Sequence, residues 1–279
     1  MSIQNAEVAG AAAVQTLSVA SSDVRREYLF HPVVDFFCLG GASLIALALL
    51  SLLSPASVWQ AETALVAALV ANFVNHPHFA HSYQIFYRDF RNKAWGDQYP
   101  AWLRRRYIVA GIVVPILLTG FFVAGYFSGN ARVLGFGVNA MTFFVGWHYV
   151  KQGYGMLMVD AALKRRFFDE REKKVLLVNA YACWIASWLG LNWAAGESQY
   201  WGLPNVAIPI PDVLFYAGIA AAAVTTLALV YMLARKTAGG KRPPVNGTVA
   251  YLTSIYAWLL FARINPLFIL VIPAFHSLQ

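Results

Sequence analysis

The chain has 279 residues, of which 59% are hydrophobic and only 12% charged, and its mean hydropathy is +0.55. A soluble domain carries about 25% charged residues, so this composition excludes one and points to a polytopic membrane protein. The formal charge of +8 does not mark a nucleic-acid binder, because the basic residues occupy short stretches between apolar runs, where they set topology.

Residues 1–28 are polar, rich in Ala and Ser, and carry Arg25 and Arg26 without an early apolar run. They read as a flexible cytoplasmic arm, not a cleaved signal peptide. Residues 29–279 read as an all-α transmembrane helical domain. His31-Pro32 enters a first span over about 33–53, with Asp35 near its start, and Ser54-Pro55 breaks it. Lying before a proline at the membrane edge, His31 reads as a cap or a solvated residue. The second span, about 58–83, ends in Asn75-His76-Pro77-His78-Phe79-Ala80-His81. A basic loop over 84–106 follows, with Trp95, Tyr99 and Trp102 placed for the interface.

The third span covers about 107–127, Ser128-Gly129-Asn130 turns the chain, and the fourth runs over about 132–159. A charged loop fills 160–174, and the fifth span covers about 175–193. Residues 194–211 lack Lys and Arg but hold Gly196, Trp201, Pro204, Pro209 and Pro211, which suits an interfacial or re-entrant loop. The sixth span, about 212–234, precedes Arg235, Lys236, Lys241 and Arg242. The seventh covers about 247–263, and Asn265-Pro266 turns into an eighth run.

Basic residues fall in the arm and in the loops after spans two, four and six. The opposite side holds Arg132 and Arg263, while Lys151 lies inside span four and snorkels towards the interface. That bias predicts an amino terminus and even-numbered loops in the cytoplasm, in a bacterial-type inner (plasma) membrane. The eighth run, Pro266 to Gln279, rises only about 21 Å against a hydrocarbon core of about 30 Å. This last helix is therefore expected to be incomplete.

Ionisable groups at membrane depth are costly and usually functional. Spans two, four and eight all descend in the same direction, which brings His76, His78, His81, His148 and His276 to overlapping depths in the inner half of the bilayer. Asn75, His78 and Ser82 share one helix side with His81 on its flank. His76 points away unless Pro77 kinks the helix. His148, Gln152 and Gly155 share a face, and Gln279 follows His276 by three residues. Imidazole is the commonest metal ligand. The pattern predicts a metal site built from His78, His81, His148 and His276, with His76 as alternate. Gln152, Gln279 and Asn75 are expected to orient the rings by hydrogen bonds. Asn72 and Asn139 read as hydrogen bonds between helices. Asp35 and Asp160, the nearest carboxylates, look interfacial, which favours an all-histidine site. Cys38 and Cys183 form no Cys-x-x-Cys pair, so a thiolate site is not expected, and without Cys-x-x-Cys-His no haem is attached covalently in that way.

At His76-Pro77-His78-Phe79-Ala80-His81, Trp147-His148-Tyr149-Val150-Lys151-Gln152 and His276-Ser277-Leu278-Gln279 the chain resembles Brp/Blh-like proteins. These are polytopic membrane dioxygenases of the β-carotene-cleaving type, with scattered histidines on several apolar helices. The resemblance covers those segments and the all-helical layout. It implies iron-dependent oxidative cleavage of a carotenoid and assigns no catalytic role to any single residue. Membrane fatty-acid desaturases and hydroxylases are similar in their cytoplasm-facing histidines, but they carry more of them, including adjacent pairs absent here.

The expected function is that of a non-haem iron oxygenase acting on a lipophilic substrate such as a carotenoid or other lipid, with the bilayer as its surroundings and no nucleic-acid partner. Zinc or haem are the other groups such histidines could hold. The rival readings are a proton-coupled transporter and a structural or assembly subunit, with haem, of a membrane complex.

Overall fold

The computed structural model describes residues 27–52, 58–194, 198–200, 203–261, 272–274 and 276–277. The arm up to residue 26, most of the eighth run, and Gln279 lie outside the described residues.

The described residues are all-α apart from one short hairpin. Helix α1 (Pro32–Leu50) contains a π-helical stretch at Phe37–Gly41, where Gly40 has φ 143°. Helix α2 (Val58–Tyr87) runs for 30 residues with Pro77 inside it. The short α3 (Phe90–Trp95) leads to α4 (Ala101–Phe127). Then come α5 (Ala131–Leu163), α6 (Glu170–Trp193), a two-stranded antiparallel hairpin of β1 (Ser198–Tyr200) and β2 (Leu203–Asn205), and α7 (Asp212–Ala238). Helix α8 (Val245–Tyr256) continues as a π-helical turn, Ala257–Phe261. Residues 272–274 and 276–277 are again helical.

Eight helical segments were expected. Among the described residues, five helices (α1, α4, α5, α6 and α7) are long and apolar enough to cross a membrane. Helices α2 and α8 form at the expected places but are not among the five. The polar residues Asn72, Asn75, His76, His78 and His81 dilute α2. Helix α8 has only 12 residues before its π turn and carries Asn246, Thr248, Thr253 and Ser254. The expected charged loops are also partly helical. Helix α4 starts at Ala101, so Arg104, Arg105 and Arg106 lie in its first turns. Helix α6 starts at Glu170 behind a capping box. The Asp169 side chain accepts from the Arg171 and Glu172 N–H groups, and the Glu172 carboxylate accepts from Asp169 N–H. The Glu172 N–H bond leads the effects that hold the Asp169 carboxyl below its ordinary value. A depressed carboxyl pKa means that this cap stabilises the helix above the unfolded pKa and is lost as pH falls through the folded one.

The core lies among α5, α6, α7 and α8, and includes Leu157, Leu176, Cys183, Leu229, Tyr251 and Ile255. Two buried asparagines inside it are paired across helices, as a membrane interior demands. Asn179, with 0% exposure, bonds to Thr225, Thr226, Tyr251 and Tyr256. Asn139 donates to Asn192 and to the Val206 carbonyl and accepts from Trp188, the interhelical role expected of it. Helices α5 and α8 meet through small residues. A Cβ at Gly153 would lie 2.7 Å from Ser254 Cβ, and one at Gly247 would lie 2.8 Å from Asp160 Cβ. This close approach sets α5, and with it His148, against α8.

Candidate metal centre

His78 on α2, His148 on α5 and His276 in the last segment come together. Each offers a ring nitrogen, and the three nitrogens lie within 4.8 Å of one another. Ring centres are 6.1 Å apart for His78–His148, 5.8 Å for His78–His276 and 5.1 Å for His148–His276. Around a tetrahedral ion with metal–nitrogen bonds of about 2.0–2.1 Å, ring centres would sit roughly 5 Å apart. To share an ion of the size set by those bond lengths, the ring centres would close by about 1 Å and the nitrogens by up to about 1.5 Å.

The hydrogen-bond ledger gives the second observation. Buried polar atoms are almost always paired. Among the described residues, the buried side-chain atoms without a partner are Nε2 of His78, His148 and His276, Oγ1 of Thr253 and Nε1 of Trp258. All five belong to this neighbourhood. Trp258 packs against Tyr149, 5.9 Å between ring centres, and Tyr149 stacks on His276 at 3.6 Å and 26°. Thr253, Ser43, Tyr149 and His276 line a cavity of about 20 Å³, which is room for one water. The segment holding His276 is tied to α2 by a hydrogen bond from Ser277 Oγ to Asn75 Oδ1.

No carboxylate joins the trio among the described residues. Asp35 and Asp160 are buried within the protein, and both are engaged elsewhere. Asp35 accepts from Leu29 and Phe30 N–H groups at the start of α1. Asp160 pairs with Lys164 at 2.5 Å and accepts from Gly247 N–H at 2.7 Å.

Among the described residues, the structure does not bring the other expected residues into this trio. His76 and His81 are exposed and stand outside the trio. Helix α2 passes through Pro77 as one continuous helix, so nothing swings His76 inward, and His81 stays on the flank. Gln152 makes no hydrogen bond to a histidine among the described residues, and Gln279 lies outside them. Asn75 does act here, but through Ser277 and not through a ring. His31 caps α1, its Nδ1 accepting from Val33 N–H at 3.3 Å. Lys151 is half-buried, with its ammonium 5.8 Å from the Tyr154 ring centre.

Tyr149 and Thr253 are additions that the sequence reading did not single out. Tyr149 follows His148 directly, and its ring holds the plane of His276. Groups that orient a ligating histidine typically change metal affinity 10–100-fold when altered. Tyr149→Leu is expected to weaken metal binding by about tenfold, read by competition with a chelator of known affinity, while Tyr149→Phe retains wild-type affinity.

No protein-family model, curated protein or solved structure matches this chain.

Proposed function

We propose that the protein is an integral-membrane oxygenase in which His78, His148 and His276 hold one non-haem iron ion and act on a lipophilic substrate, of which a carotenoid or another lipid is the type. The observation that carries this reading is the convergence of three histidines from three separate segments, each with a buried, unpartnered Nε2. Leaving them unpaired would cost about 1–3 kcal/mol each, and a shared cation removes that cost at once. Imidazole ligands suit iron, and iron so held would supply dioxygen activation at its free positions.

The chain's own groups do the rest. Tyr149 fixes the His276 ring, and the Asn75–Ser277 bond fixes the segment that carries it. His276 is buried, while His148 and His78 are both half-buried. Phe73 and Phe79, both exposed, flank His78 on α2. That apolar flank favours a substrate arriving laterally from the bilayer on the α2 side. Oxidative cleavage of one carbon–carbon double bond would consume one dioxygen and leave two carbonyl groups. The localisation we assign is a bacterial-type inner membrane with a cytoplasmic amino terminus, from the distribution of basic residues.

The test is elemental analysis of the purified protein together with its absorption spectrum. Stoichiometric iron without a Soret band, and dioxygen uptake on adding a carotenoid, are the expected results. A Soret band would assign the histidines to haem in a membrane complex. Absence of any bound metal after anaerobic loading with ferrous ion would overturn the reading and leave transport or a structural role.

A further inference from the structure

A second site lies at the opposite kind of surface. Where α5 and α7 end and α6 and α8 begin, a cavity of about 480 Å³ is lined by Arg165, Arg166, Phe167, Lys236, Lys241 and Arg242, with Gly240. No acidic side chain is part of this lining.

The charges around the cavity are unbalanced. Lys236 is buried and spoken for: its ammonium donates to Glu172 at 2.7 Å and to the Phe167 carbonyl at 3.0 Å, and lies over the Phe168 ring. The nearby carboxylates are also occupied. Asp160 holds Lys164, Glu170 holds Lys173, and Asp169 and Glu172 close the capping box of α6. That leaves Arg165, Arg166, Lys241 and Arg242 without an acidic partner among the described residues. The wall is shaped by two residues with positive φ, Arg165 at 52° and Gly240 at 76°, which turn the two connecting segments tightly at the helix ends. Arg166 is pinned across the cavity to the Pro243 carbonyl at 3.5 Å.

We infer that this cavity binds a phosphate-bearing anion at the membrane boundary. Several cations converging on one concavity match the charge and multiple acceptor oxygens of a phosphate, and arginine forks suit those oxygens in pairs. Basic pockets at the ends of membrane helices take lipid headgroups by the same chemistry. Phe167, 64% exposed among the arginines, adds an apolar surface beside the charge, which suits an anionic phospholipid better than a free phosphate.

The experiment uses the full chain in detergent and compares binding of phosphatidylglycerol, phosphatidylcholine and inorganic phosphate by native mass spectrometry and by thermal shift. Phosphatidylglycerol is expected to bind in preference to phosphatidylcholine, and the preference should shrink as salt is raised. Arg165→Gln/Arg242→Gln is expected to lower that preference about 25-fold, roughly fivefold for each cation near the surface. Arg88→Gln/Arg105→Gln, with the same change in net charge elsewhere, leaves it intact. Binding of phosphatidylglycerol that inorganic phosphate does not displace assigns a lipid ligand. Saturable binding of inorganic phosphate with no lipid preference assigns a soluble one, and both support the anion site. If neither binds to the wild-type protein, or both double variants lose binding equally, the inference is overturned.

Discussion

If the proposed iron centre is right, purified His276→Ala protein is expected to bind no metal where the wild type does. Removing one of three ligands takes away a bond to the ion and leaves two nitrogens that cannot enclose it. The affinity loss should exceed the 10–100-fold seen when mere outer hydrogen-bond partners are changed. His78→Ala and His148→Ala should do the same, and all three should abolish oxygen uptake. The informative contrast is with His76→Ala and His81→Ala. Both lie in the same short stretch of α2, yet both are exposed and outside the trio, so their metal content should equal that of the wild type. Iron content per protein, measured after identical loading and desalting, decides the matter. If His81→Ala loses iron as fully as His148→Ala, the three-ligand geometry is wrong. If no histidine variant loses iron, the ion sits elsewhere.

Gly247→Leu is expected to be the most damaging single change in the core. A Cβ at this position already lies 2.9 Å from Leu157 Cα and 2.8 Å from Asp160 Cβ, so backbone must move, not the tip of a flexible side chain. Overpacking of this kind costs up to about 3 kcal/mol, and separating α5 from α8 also stretches the bond between Gly247 N–H and Asp160. The matched control is Gly155→Ala on α5, where a Cβ meets nothing within 4 Å. There the helix should gain roughly 0.5–1 kcal/mol from the loss of glycine freedom. Unfolding midpoints in one detergent separate the two outcomes; equal midpoints would show that close approach at Gly247 is not what joins these helices.

How far the sequence could be read differs between the fold and the site. Apolar runs placed the long helices within a few residues, because a spanning helix needs a continuous apolar length. The helix ends were less legible. Hydropathy drops at Arg104–Arg106, but backbone helicity does not, since arginine is a good helix former. The Asp169-Glu170-Arg171-Glu172 pattern did carry the start of α6 as a capping box. In the site, depth and helix face were enough to select His78, His148 and His276. They were not enough to discard His76 and His81, because that depended on whether Pro77 breaks α2. Gln152, four residues and about 6 Å along the axis from His148, makes no hydrogen bond to a histidine among the described residues. Tyr149 and Thr253 could not be found from spacing, since their partners come from α8 and the final segment.

The three imidazoles are supplied by residues 78, 148 and 276, from early, middle and late stretches of the chain. No two of them lie within one hairpin of neighbouring helices. On the proposed iron reading, a nascent chain would lack one of the three imidazoles until its last segment is made, so a partly inserted intermediate would hold the ion by two nitrogens at most. Isotopically labelled iron added during synthesis should then enter only chains that already carry His276.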